Sequence, residues 1–172
     1  MQIKTAILTI STRGSRGERT SDESGEAIKA LLPAIGGVVI DYQVIPDDLN
    51  MIKNQLRHMS TRLKAHLIVT TGGTGISPTD VTPEATLDLI EKRLHGFEER
   101  MRAAGFEKTP FAILSRAVVG TYKNCLIINL PGNPKGVREN FEAIAGVIPH
   151  AINVLRGASL HDSAHDFKPG PS

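Results

Sequence analysis

An α/β fold with a mostly parallel central sheet is the class this sequence predicts, and three observations carry it. Short apolar runs alternate with segments of helical periodicity along the whole chain. The runs are built from Ile, Leu, Val and Ala: among 172 residues there are two Tyr, five Phe and no Trp, 4% aromatic. That is the composition of strands buried on both faces. Segments rich in glycine, proline, hydroxyls or carboxylates then follow the strands, where an open parallel sheet binds its ligands.

The elements follow in order. Ala6-Ile7-Leu8-Thr9-Ile10 is the first strand. Ala27, Ile28, Leu31, Leu32 and Ile35 recur at helical spacing, with Ser21 or Asp22 as the cap and Gly36-Gly37 as the stop. The run Val38–Ile45 is a second strand whose alternation near its end suits a more exposed position. Pro46-Asp47-Asp48 opens a helix with Leu49, Ile52, Leu56, Met59 and Leu63 on one face. Leu67-Ile68-Val69 is a short buried strand, and Thr82-Pro83 starts a helix expected to continue through Leu94. A short amphipathic helix is expected over Gly96–Ala104, and strands over Phe111–Val119 and Leu126–Leu130. A final helical stretch runs from about Val137 to Leu155, kinked or split by Pro149. Residues 1–157 read as one domain and 158–172 as a polar tail.

Composition excludes several functions. The net charge of +2 and the absence of long cationic runs argue against nucleic-acid binding, as does the shortage of rings for base stacking. No apolar run approaches the about 20 residues that span a bilayer, so no membrane role is expected. One cysteine rules out an intrachain disulfide framework and suits a reducing cytoplasm. Cys125 lies in an apolar strand and reads as a buried, inert thiol. His161 and His165, with Asp162 and Asp166, have metal-compatible spacing but fall in the tail with no third ligand nearby.

The chemistry concentrates in four loops that follow strands: Ser11-Thr12-Arg13, Pro46-Asp47-Asp48, Thr70–Gly75 and Pro131–Gly136. Three glycines and three threonines in Thr70-Thr71-Gly72-Gly73-Thr74-Gly75 let the backbone approach an anion closely and add hydroxyl donors. The run is neither a Walker A loop nor GxGxxG. Asp80, in Ser77-Pro78-Thr79-Asp80, either bonds the N–H groups of its own turn or stands beside a bound phosphate, where Mg²⁺ would neutralise charge. Either Asp47 or Asp48 caps the following helix, which leaves one carboxylate spare. Gly132 and Lys135 give the last loop close approach and a cation. Arg116, in a strand-like run, is more often a structural ion-pair partner than a ligand contact.

Taken together, Thr70–Gly75, Ser77-Pro78-Thr79-Asp80-Val81-Thr82-Pro83-Glu84-Ala85-Thr86 and Leu130-Pro131-Gly132-Asn133-Pro134-Lys135 resemble the Mog/MoaB family, the molybdopterin adenylyltransferases of molybdenum cofactor biosynthesis. The likeness extends to Ser11-Thr12-Arg13, Ile45-Pro46-Asp47, Gly96-Phe97 and Ala112-Ile113-Leu114-Ser115-Arg116, and covers the chain to about Leu155. The resemblance implies a three-layer α/β/α sandwich, usually trimeric and sometimes hexameric, that uses Mg-ATP and molybdopterin and releases pyrophosphate. It implies Asp47 and Asp80 as the functional aspartates and holders of Mg²⁺. It implies a substrate pocket drawn from Ser11, Thr71, Gly72, Gly73, Thr74, Gly75, Ser77, Ser115, Arg116, Pro131, Gly132, Asn133 and Lys135. The molybdenum-insertion enzyme is an implied partner. Flat substrates would then be gripped by backbone amides, prolines and charge rather than by rings. One departure stands out: many relatives carry Arg before the second aspartate, where this chain has Thr79. A non-catalytic molybdopterin-binding or scaffolding protein of the same fold is the alternative.

Overall fold

A computed structural model describes residues 2–18 and 20–157. The expected tail at 158–172, with its histidines and aspartates, lies outside the described residues. The elements are β1 (Ile3–Ile10), α1 (Thr12–Ser15), α2 (Glu23–Leu31), β2 (Gly37–Ile45), α3 (Leu49–Thr61), β3 (Leu67–Thr71) and α4 (Thr82–Leu87). Then come β4 (Lys92–Arg93), α5 (His95–Phe106), β5 (Val119–Tyr122), β6 (Cys125–Leu130), α6 (Pro134–Ile144) and α7 (Ile148–Leu155). Short 3-10 turns cover Leu32–Ile35 and Pro110–Leu114.

The six strands form one sheet in the order β2-β1-β3-β6-β5-β4. β2, β1, β3 and β6 run parallel, while β5 and β4 are added antiparallel to their neighbours. Ile7, Val69 and Ile128 share one register row, and Thr9, Thr71 and Leu130 another nearer the carboxyl end. The more exposed position of β2 suggested by alternation is explained by its place at the sheet edge. Its pairing with β1 skips Ile40, a bulge between the Thr5–Val39 and Ala6–Asp41 pairs.

Alternation along the buried strands divides the core into the two halves of a sandwich. Ile7, Val69 and Ile128 face α2, α6 and α7 through Ile28, Val137, Phe141 and Ile152. Ala6, Leu8, Ile68 and Ile127 face α3 and α4 through Ile52, Leu56, Met59 and Ala85. The three-layer α/β/α arrangement is therefore present. It is filled by aliphatic side chains, with Phe141 the one buried ring among its largest members.

Three boundaries differ from the sequence reading. The run Phe111–Val119 is not a strand: Pro110–Leu114 is a 3-10 turn capped by Thr109, and pairing begins only at Val119. Its apolar residues misled because Phe111 and Ile113 face solvent. The helix from Thr82 stops at Leu87 rather than Leu94, because Glu91 N donates to Thr121 O (2.7 Å) and draws the chain into β4. The last helix begins at Pro134 and is split, with Pro149 in the first turn of α7. That is where a missing N–H costs nothing.

Candidate active site

β1, β2, β3 and β6 all deliver their carboxyl ends to the same side, and each is followed by a helix whose N-terminus opens on that side. Unpaired N–H groups and the positive ends of the helix dipoles therefore meet there, which favours anions.

The glycine loop is shaped by contacts no side chain would allow. Gly72 has φ +98°, and a Cβ there would lie 2.3 Å from the Ile10 carbonyl oxygen. Gly73 has φ +65°, and its Cβ would lie 2.4 Å from Thr82 Oγ1. Thr82 Oγ1 donates to Gly72 O (2.9 Å), Gly72 N to Leu130 O (3.2 Å) and Thr71 Oγ1 to Pro131 O (2.6 Å). The loops at 70–75 and 131–136 are thus fastened to each other. A Cβ on Gly132 would stand 3.3 Å from Gly72 Cα. Behind them, buried Asn129 donates to both Thr70 Oγ1 and Thr86 Oγ1 (3.0 Å each) and accepts from Val118 N (3.2 Å).

The two carboxylates are held alike. Asp48 Oδ1 accepts from Met51 N (2.8 Å) and caps α3, so Asp47 is the spare one. Asp47 Oδ2 accepts from Thr12 N (3.0 Å) and Thr12 Oγ1 (2.7 Å). Asp80 Oδ2 accepts from Ser77 N (2.9 Å), the local turn bond that the sequence allowed. Among the described residues no protein donor reaches Oδ1 of either. Each aspartate is anchored by one oxygen and keeps the other available.

Among the clefts at this edge, two join at the glycine loop. One, of about 470 Å³, runs from Thr74, Gly75 and Ser115 to α5 and the start of α6, with Lys108 and Lys135 on its border. The other, of about 430 Å³, holds Ser11, Thr12, Arg13, Asp47, Thr71 and Gly72. They share Gly73, Asp80 and Gly132. The structure therefore brings the predicted residues, Ser77 and Arg116 excepted, together on either side of one junction.

Some predicted residues face elsewhere. Arg116 Nε donates to Gly75 O (2.7 Å), its second terminal nitrogen to Asp80 O (2.9 Å), and its first pairs with Glu84. The guanidinium clamps the loop that carries Asp80 and lines neither cleft. Ser77 supports Asp80 through its N–H and also lies outside both linings. Asn133 Oδ1 caps α6 by accepting from Gly136 N (2.6 Å) while its residue borders the first cleft. Ser11 likewise caps α1 by accepting from Gly14 N (3.0 Å). Thr12 and Thr82 stood in segments the sequence reading quoted but without an anchoring role, and Asn129, polar within the apolar run Leu126–Leu130, escaped it. Burial pushes the Cys125 thiol up to about 12, which fits the inert reading.

Sheet, helix N-termini and joined clefts define an α/β protein with its loops gathered at the carboxyl ends of the parallel strands. The chain belongs to the probable molybdopterin binding domain family, which it matches over residues 6–150. It is similar to a solved molybdopterin biosynthesis enzyme, MoaB of Thermus thermophilus, at 45% identity and a TM-score of 0.86, covering 91% of this chain and 98% of that one. It is 39% identical over 157 residues to a molybdopterin adenylyltransferase of Helicobacter pylori J99, covering 90% of this chain and 89% of the relative. It is also 40% identical over 159 residues to gephyrin of Dictyostelium discoideum, covering 87% of this chain but only 22% of that protein.

Proposed function

We propose that the protein is a molybdopterin adenylyltransferase of molybdenum cofactor biosynthesis, taking ATP and molybdopterin as its substrates. The observation that carries this reading is the junction at Gly73, Asp80 and Gly132, where two clefts of similar size meet beside two carboxylates with one free oxygen each. One substrate in each cleft would bring their phosphates to that junction. The terminal phosphate oxygen of molybdopterin attacks the α-phosphorus of ATP. A new P–O bond forms, the bond to the bridging oxygen breaks, and pyrophosphate leaves with the electron pair. Such transfers depend mainly on alignment and charge neutralisation.

The residues fit Mg²⁺. Asp47 and Asp80 offer oxygen ligands, and no group of three or more His, Cys, Asp or Glu forms a protein cage among the described residues. Mg²⁺ characteristically takes one or two carboxylates plus substrate phosphates, and when bound it offsets the triphosphate charge. In this reading Gly72, Gly73, Thr74 and Gly75 cradle phosphate, while Thr71 and Pro131 fix the two loops. Ser11, Ser115, Gly132, Asn133 and Lys135 complete the substrate walls, and Ser77 and Arg116 hold the Asp80 loop in place. A homotrimer or a hexamer, handing its product to a molybdenum-insertion enzyme, is the setting that the resemblance implies, and the single cysteine suits the cytoplasm. No described helix is long and apolar enough to cross a membrane.

With Mg-ATP and molybdopterin, the purified protein is expected to release pyrophosphate and form adenylylated molybdopterin. Asp80→Asn should lower turnover by about 100-fold or more, the scale of removing one preorganised electrostatic group, and leave the unfolding midpoint near that of the parent. Molybdopterin binding without ATP-dependent turnover would instead make the protein a binder or scaffold. Parental rates in Asp80→Asn would reduce Asp80 to a turn residue.

A further inference from the structure

Phe111 is the most exposed large apolar side chain among the described residues, at 74%. It is also the only aromatic residue that lines either of the two joined clefts. A ring left in water at the mouth of a ligand-sized cleft gives up the burial that drives such side chains inward.

The turn that carries it is fixed. Thr109 N donates to Gly105 O (2.9 Å), Ser115 N to Ala112 O (3.1 Å) and Arg116 N to Thr74 O (2.8 Å). Ala112 seats against α5 so closely that a Cβ on Gly105 would come 2.8 Å from Ala112 Cβ. Phe111 is therefore presented outward from a short turn tied down on both sides, so holding the ring there costs little further ordering. The same cleft is lined from α6 by Glu139 and by Asn140, whose amide nitrogen donates to Gly136 O (2.8 Å) and leaves its Oδ1 an acceptor. One cleft thus combines an exposed ring with acceptors.

We infer that Phe111 stacks on the flat, amino-bearing nitrogen heterocycle of the substrate that enters the first cleft, and so sets affinity for that substrate. Adenine and a pterin share this chemistry: each has a π face for the ring and an exocyclic amine for the acceptors of the cleft. The inference rests on the adenylyl-transfer reading for its choice of heterocycles. It amends the expectation that flat ligands are gripped without rings. Scarcity of aromatics across the chain is compatible with one ring placed where it stacks.

The chain has no tryptophan, so Phe111→Trp installs a single fluorescent reporter on the proposed stacking face. Phe111→Ala is expected to raise KM for either Mg-ATP or molybdopterin about tenfold, the scale of losing one stacking ring, with kcat within about twofold. Phe111→Trp should restore that KM, and its emission should be quenched by the same substrate. The affected arm identifies which heterocycle occupies the cleft. Turnover with both KM values unchanged in Phe111→Ala overturns the stacking role and leaves adenylyl transfer standing. Quenching by either ligand without any turnover sustains the stacking role and overturns adenylyl transfer. Emission that shifts with protein concentration but with neither ligand puts a second copy of the chain over the ring, and also overturns the inference.

Discussion

Gly73 and Gly75 lie two residues apart in the same loop and are expected to fail differently. Gly73 has φ +65°, where an L side chain is strained, and its Cβ would displace Thr82 Oγ1 from the Gly72 carbonyl. Gly73→Ala should cost about 2–3 kcal/mol, the left-handed penalty plus one lost buried hydrogen bond. The measurement is a urea midpoint that falls with an unchanged slope. Gly75 has no positive φ, and the nearest atom to its Cβ would be Asp80 Oδ2 at 2.9 Å, the end of a side chain. Gly75→Ala should therefore cost under about 1 kcal/mol, because that side chain can move aside. It should nonetheless depress turnover by pushing the carboxylate out of place. Equal stability losses at the two positions would mean that contact crowding, rather than backbone handedness, governs the loop.

Elements carry the first cleft as much as single residues do, and α5 is fixed by a buried charge. Glu98 is fully buried, and both its oxygens take the Arg93 fork, at 2.9 Å and 3.0 Å. It also accepts from Val119 N (3.0 Å), which ties α5 to β4 and β5 together. Glu98→Gln keeps the shape and removes the charge, leaving Arg93 to turn towards water. A loss of about 2–3 kcal/mol is expected, at or below the low end for broken buried pairs because Arg93 is partly exposed. Thermal unfolding reads it, and a raised KM at the cleft walled by Met101 and Gly105 should accompany it. Sequence periodicity revealed β1, β3, β6 and α3 because their apolar residues repeat at the spacing of the face they bury. It misread Phe111–Val119 because an apolar run does not say whether it is covered, and that depended on Ala112 meeting Gly105 across the cleft wall. The site divides the same way. Asp47 and Asp80 were visible as carboxylates beside glycine-rich loops. The anchoring of Asp47 by Thr12, the lacing of Asn129 to Thr70 and the clamp from Arg116 join positions at least 32 residues apart, which no local pattern reports.

At the scale of the whole molecule, stability should follow pH through groups far apart on the sheet. His66 sits at the end of β3 away from the clefts, where its Nδ1 accepts from Lys4 N (3.3 Å). Burial, followed by the nearby charges of Arg156 and Lys4, holds its pKa below the ordinary histidine value of 6.5, against a smaller opposing bond involving the Gln2 backbone. At the other end, burial pushes Asp22 upward, but hydrogen bonds from Thr9, Tyr42 and Gly25, with the Lys29 charge, outweigh it and hold the carboxyl below 3.8. Both groups bind a proton more readily unfolded than folded, so stability rises with pH across each window. The histidine contribution is full above pH 6.5 and is lost as pH falls through the lowered folded value. The Asp22 contribution is full above its unfolded value and is lost only as pH falls below about 4. Urea unfolding should therefore weaken in two stages on acidification. His66→Asn keeps an acceptor for Lys4 N but cannot titrate, so it should abolish the first stage and leave the second. Asp22→Asn should shrink the second stage and leave the first. If the first stage survives in His66→Asn, groups elsewhere on the molecule set the mildly acidic limit of this fold.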